Sequence, residues 1–509
     1  MRRILRFLTA ACVLPLVLGI ASCSDTDDET TDESFTLNAS VESMLNTSRD
    51  EGYAASVTVS SSAFDNATVF NKNLAMASYL STMETASAES IKKLYESIGF
   101  DNIVTGGYEE SDDIHLDAYC LAHKNINGSD VIACVTRCLG YGIRFSGNLV
   151  VGTSGDHEGF SIAANSLYEK LKSYIESKYE NSYKAKTLKL WLPGYSRTAA
   201  IANVLSYMIL GEKKLDIENK NVFTYAVATP YCLTKEHSID FPNVFNLVSE
   251  ADVVALVPPA VWGLGRCGKD KIIYRSNSDS YTEHKQTDKL QFSDFASVTE
   301  TYSYTSVLDG YLKELDPELE YPAFGIHKSS WLEYADGTSS TPSENTPYYT
   351  TERGMVDWLL NMVMEKDGSA TGGYSLKTRE LYASTVQEYV SYAIKLFFEN
   401  TDAFASLAED LKENPLVLIS KWMMNADGLY DSIKEYLGKK SATYDDAKLK
   451  STCTALLQMI DMAGQNGCLT DATLKILTLA LNKDNSDLKR VFLHHLPEIQ
   501  YVLIKNYAE

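Results

Sequence analysis

Ser196 stands in Gly194-Tyr195-Ser196-Arg197-Thr198, between a short apolar run at residues 188–192 and the helical run Arg197–Leu210 that Gly211 stops. A strand, a tight turn and an immediate helix form a nucleophile elbow, which lifts a serine hydroxyl above a sheet edge. The positive end of the helix behind it favours the negative charge that develops during acyl transfer. Gly194 suits a turn with no room for a side chain two positions before the serine. Thr198 stands where a second glycine is usual. Taken alone, the turn also reads as a serine capping a helix. The chemistry needs two further groups, an imidazole to take and return the hydroxyl proton and a carboxylate to orient that imidazole.

Elements able to position such groups alternate from Phe35 to about Ala260. Helical spacing covers residues 73–82, 90–98 and 161–179, and short apolar, β-rich runs cover 131–136, 188–192, 222–227 and 244–248. Strands separated by helices predict a largely parallel sheet with helices on both faces. Asp252 follows the last strand, so it belongs at a strand's C-terminal edge, where open α/β sheets place their sites. Beyond about residue 340 the pattern turns helical, over 376–400, 415–437, 445–462, 470–481 and 486–507.

The ends and the charge limit the setting. Arg2, Arg3 and Arg6 precede an apolar stretch at residues 7–20, and Ala21 and Ser22 then lead to Cys23, the arrangement of a secretory signal peptide. Residues 24–34 are acidic without an apolar residue, which predicts a disordered tether. Formal charge is -22, and losing the three Arg of residues 1–22 makes the mature chain more negative still. Such a field repels nucleic acid and anionic headgroups but not an uncharged ester. Seven cysteines follow Cys23, without CxxC or zinc spacing, and disulfides are compatible with an extracytoplasmic setting. No P-loop, G-x-G-x-x-G or H-E-x-x-H motif occurs, so no cofactor or metal is expected.

Four segments in order resemble the class 3 lipase (fungal lipase-like) family. Gly194, Tyr195, Ser196, Arg197, Ala199, Ala200, Ala202 and Asn203 match a G-[HY]-S-R-G-A-A-x-A-N pattern. Upstream, His157-Glu158-Gly159-Phe160 resembles the family's H-x-G-F, and residues 131–140 with Tyr141 and Asn148 resemble the segment bearing its R-G-T/S oxyanion loop. Downstream, Asp252 to Pro258 resembles D-x-V-x-x-x-P, which carries the catalytic acid. By this resemblance His157 is structural, and the oxyanion hole uses the backbone N–H groups of Arg197 and Leu139. The run Ile20-Ala21-Ser22-Cys23 likewise resembles a bacterial lipobox, implying a diacylglycerol on the Cys23 thiol.

The base must follow Asp252 in the α/β-hydrolase order Ser, Asp, His. His284 sits in a polar stretch. His327 lies 75 residues after Asp252 in an uninterrupted fold, whereas His495 matches an H-x-P-E segment before a final helix. His495 is favoured and His327 kept as the alternative. Two departures from the family pattern are Cys138 and Thr198, both in place of glycine; Cys138 has no partner histidine pattern and is not expected to be a nucleophile.

The expectation is therefore an α/β fold, an α/β-hydrolase core with a mostly parallel sheet plus a large helical C-terminal insert or cap. Its divisions are a signal peptide at 1–22, lipidated Cys23 with a tether to 34, the core at 35–338, the insert at 339–485, and a terminal helix at 486–509 returning to the core. The expected function is ester hydrolysis by Ser196, His495 and Asp252 on an ester or lipid substrate, lipid-anchored outside the cytoplasm of a bacterium. A lipase-fold binding module with weakened catalysis is the alternative, motivated by Cys138 and Thr198; a thioesterase or peptidase would use the same triad.

Overall fold

The computed structural model describes residues 33–109, 117–249, 252–274, 312–317 and 493–507 apart from isolated positions, and short stretches between 364 and 387 and between 435 and 457. Residues 1–22, expected to be a signal peptide, with Cys23, His284, His327 and most of residues 339–485, lie outside the described residues.

Asn127 and Gly128 both adopt positive φ, the requirement of a tight hairpin turn. They join β4 (Tyr119–Ile126) to β5 (Ser129–Thr136), which pair antiparallel from Tyr119 opposite Thr136 to Ile126 opposite Ser129. β3 (Asp101–Gly106) extends this antiparallel edge. From β5 onward the sheet is parallel, through β6 (Lys189–Tyr195), β7 (Val222–Val227), β8 (Val244–Ser249) and β9 (Lys269–Tyr274). The seven strands run in the order β9-β8-β7-β6-β5-β4-β3. This is a mostly parallel α/β-hydrolase core, with β6, the strand that leads to Ser196, at its centre.

Period-two alternation decides which face each side chain takes. In β6, Leu190 and Leu192 pack with α3 (Glu158–Lys178) and α4 (Arg197–Leu210), while Trp191 and Tyr195 join the opposite cluster. That second face is covered by α1 (Lys72–Met83), α2 (Ala88–Ser97) and an antiparallel hairpin of β1 (Ser34–Val41) and β2 (Tyr53–Ser60). β1 starts at Ser34, the last residue of the predicted tether.

Two expectations need correction. The region after 340 is not wholly helical, since β10 (Met364–Lys366) and β11 (Tyr374–Leu376) form a ribbon before α5 (Arg379–Thr385). Three-residue strands are too short for alternation to reveal. The last helix, α6 (Pro497–Lys505), starts at Pro497 rather than 486, after a 3₁₀ turn at Leu493–His495. Proline lacks a backbone N–H and holds Leu496 extended, so it begins the helix rather than continuing one. α6 packs on α1, β1 and β9, filling the same face as Trp191. Among the described residues no helix is long and apolar enough to cross a membrane.

Candidate active site

Ser196 leaves β6 with φ 57° and ψ −125°, a conformation that costs a non-glycine residue on the order of 1–3 kcal/mol. Its side chain makes no helix-capping hydrogen bond, so it is not a structural cap. The strained peptide is held by the Ser196 N–H donating to the Val227 carbonyl at 2.9 Å. A Cβ on Gly194 would lie 2.6 Å from the Ala199 Cα, so the helix can follow this closely only behind glycine. Thr198 is accommodated differently from the glycine it replaces. Its hydroxyl accepts from the Tyr195 N–H at 3.0 Å and donates to the Tyr195 carbonyl at 2.9 Å, folding the methyl-bearing side chain back against the elbow.

The structure brings Ser196, His495 and Asp252 together. His495 Nε2 lies 2.8 Å from Ser196 Oγ, and Nδ1 lies 2.9 and 3.1 Å from the two Asp252 carboxylate oxygens. With Nδ1–H facing an acceptor-only carboxylate, Nε2 is left to accept the serine proton. Asp252 is fully buried and caps the turn Val253–Leu256 by accepting from the Val254 N–H at 2.9 Å. His495 stacks on the Tyr195 ring at 5.3 Å, and the Tyr195 hydroxyl donates to the His495 carbonyl. His327 is outside the described residues, and His495 takes the position the alternative would have needed.

The remaining candidates support the elbow. Arg197 lies at the first turn of α4, where N–H groups have no intrahelical acceptor and point outward. Its guanidinium is buried and clamps both Asp117 oxygens at 2.8 and 3.2 Å, with Nη1 on Asn148 Oδ1 at 2.8 Å. Leu139 sits on the loop leaving β5, the strand beside β6, and its carbonyl accepts from Arg137 Nε at 3.0 Å. Cys138 anchors that loop to the elbow, its N–H donating to Thr85 Oγ1 at 2.8 Å and its thiol to the Tyr195 carbonyl at 3.3 Å. Burial pushes this thiol far above the usual cysteine range, which removes any nucleophilic role.

His157 is buried and held neutral, its pKa pushed down to about 3 by burial. Its Nε2–H donates to the Asn148 carbonyl at 3.1 Å, and Nδ1 caps α3 at the Phe160 N–H. It braces the loop that Arg197 also grips, with no contact to the serine hydroxyl.

Three contributors were not singled out from sequence. His494 is buried, its pKa pushed down to about 4 by burial, and pairs with Ser249 Oγ at 2.7 Å. Gln500 donates to both Asp252 and the His494 carbonyl. Asp117 neutralises Arg197. The available signal was one polar residue, Gln500, inside the apolar run of α6. Among the described residues no cluster of His, Cys, Asp or Glu is arranged to hold a metal ion.

No curated protein matches the chain significantly in sequence. Among solved structures, the triacylglyceride lipase of Rhizomucor miehei is 16% identical over 39% of this chain and 78% of its own, with a TM-score of 0.30. Lipase II of Rhizopus niveus is 15% identical over 40% of this chain and 81% of its own, TM-score 0.28. A lipase from Rhizopus microsporus var. chinensis is 14% identical over 40% and 75%, TM-score 0.30. The fold assignment rests on strand order and direction rather than on these loose superpositions. Residues 145–262 match the sequence model of the lipase (class 3) family. That segment carries the His157 brace, the elbow and Asp252, and the match supports a place for this chain in the class 3 lipase family.

Proposed function

We propose that this protein hydrolyses carboxylic esters by the lipase-type route, with Ser196 as nucleophile, His495 as base and Asp252 as the carboxylate that orients it. The observation that carries the reading is the continuous hydrogen-bonded line from Ser196 Oγ through the His495 ring to Asp252, at 2.8 and 2.9 Å.

His495 Nε2 takes the hydroxyl proton as Oγ attacks the ester carbonyl, and buried Asp252 stabilises the imidazolium that results. The N–H groups of Arg197 and Leu139 face the oxyanion in this reading, and the same imidazolium returns its proton to the leaving alcohol. Water then repeats the sequence on the acyl-enzyme. Thr198 and Cys138 replace glycines yet close hydrogen bonds onto Tyr195, which supports a working elbow rather than a weakened one.

The full-length chain should release p-nitrophenol from p-nitrophenyl esters and take a fluorophosphonate label on Ser196. Absence of both, where a control hydrolase reacts, sinks the reading. Anchoring rests on the sequence of residues 20–23: a Cys23→Ala variant should lose metabolic incorporation of a fatty-acid analogue and leave the membrane fraction.

A further inference from the structure

His495 reaches Ser196 and Asp252 from far along the chain, so its ring is only as well placed as the turn that carries it. Gln500 connects that turn to the acid. It is fully buried on α6, one turn beyond the turn Leu493–His495, among Ile499, Tyr501, Val502, Leu503 and Ile504. Its Nε2 donates to the His494 carbonyl at 2.5 Å and to Asp252 Oδ2 at 3.3 Å. Both partners only accept, so the amide nitrogen must face them. One side chain thereby sets the separation between the backbone bearing the base and the carboxylate that orients it.

We infer that Gln500 is a positioning residue for the catalytic base, holding the Asp252 carboxylate and the His495 turn in register and drawing electron density from the acid. This rests on the triad reading above. A donor to the carboxylate weakens its hold on the imidazole proton; removing the donor leaves a more basic Asp252 and an imidazolium that gives up its proton less readily. Other titratable groups around this corner include the buried His494, whose ring pairs with Ser249, Glu498, which accepts the Met44 and Leu45 N–H groups, Glu42 beside Glu498, and the hydroxyls of Tyr195 and Tyr79, bonded to the His495 and Pro497 carbonyls.

The test uses the full-length chain with ¹⁵N-labelled histidine and the volume-conserving change Gln500→Met, with Gln500→Glu as a second variant. In Gln500→Met the His495 titration midpoint should rise by about half to one pH unit, with kcat falling roughly tenfold and KM within about twofold. Gln500→Glu, which adds a carboxylate beside Asp252, should raise the midpoint further. The acid limb of the kcat profile should move up with it. A folded variant with an unmoved midpoint, whether or not kcat falls, overturns the inference and leaves Gln500 as packing. If the midpoint moves while the wild type turns over no ester, the positioning role stands and the hydrolase reading fails.

Discussion

The Thr198 hydroxyl both accepts from the Tyr195 N–H and donates to the Tyr195 carbonyl, closing a small ring at the base of the elbow. Thr198→Val keeps the shape and removes both bonds, leaving a buried N–H without its acceptor. It should lower stability by about 1–3 kcal/mol in urea unfolding, while fluorophosphonate still labels Ser196.

Asp252→Asn keeps the geometry but presents an amide to Nδ1, favouring the tautomer that cannot accept the Ser196 proton. We expect kcat to fall by roughly 10³–10⁴ with the thermal midpoint little changed. A loss below tenfold in steady-state kinetics would remove Asp252 from the triad.

Arg197 and Asp117 form an ion pair with side-chain exposures of 0% and 4%. Removing either partner, as in Arg197→Met or Asp117→Leu, strands a buried charge and should cost about 3–5 kcal/mol. The double variant should be more stable than either single one, which chemical denaturation of the four proteins would show.

Glu42 is one group through which stability should respond to pH. Burial, and then the neighbouring Glu498 carboxylate, push its pKa up to about 7 from 4.5. An acid raised in the folded state favours folding below its unfolded pKa, and that contribution is lost as pH rises from about 4.5 to about 7. Glu42→Gln should therefore stabilise the protein above pH 7 by up to about 3 kcal/mol and leave it unchanged below pH 4. Thermal unfolding at both pH values measures the difference.

The elbow, its flanking strand and helix, and Asp252 were legible because each follows from local pattern: an apolar run, a glycine before the serine, helical spacing after it. His495 was harder, because 243 residues separate it from Asp252 and no periodicity crosses that distance. Only its H-x-P-E resemblance and its place just before a final helix favour it over His327. Gln500 and Asp117 were invisible for a different reason. A buried polar side chain is defined by the groups it meets in three dimensions, and those come from other elements. The hairpin of β1 and β2, and the antiparallel edge of β3 and β4, lay in a region read only as alternating elements.

The separation of His495 from Ser196 and Asp252 also sets an order in time. A ribosome adding about 5–20 residues per second finishes Asp252 roughly 10–50 s before it reaches His495. Throughout that interval the emerging chain carries the proposed nucleophile and acid without the proposed base. In the proposed triad, a chain released before His495 is made would be inert toward esters.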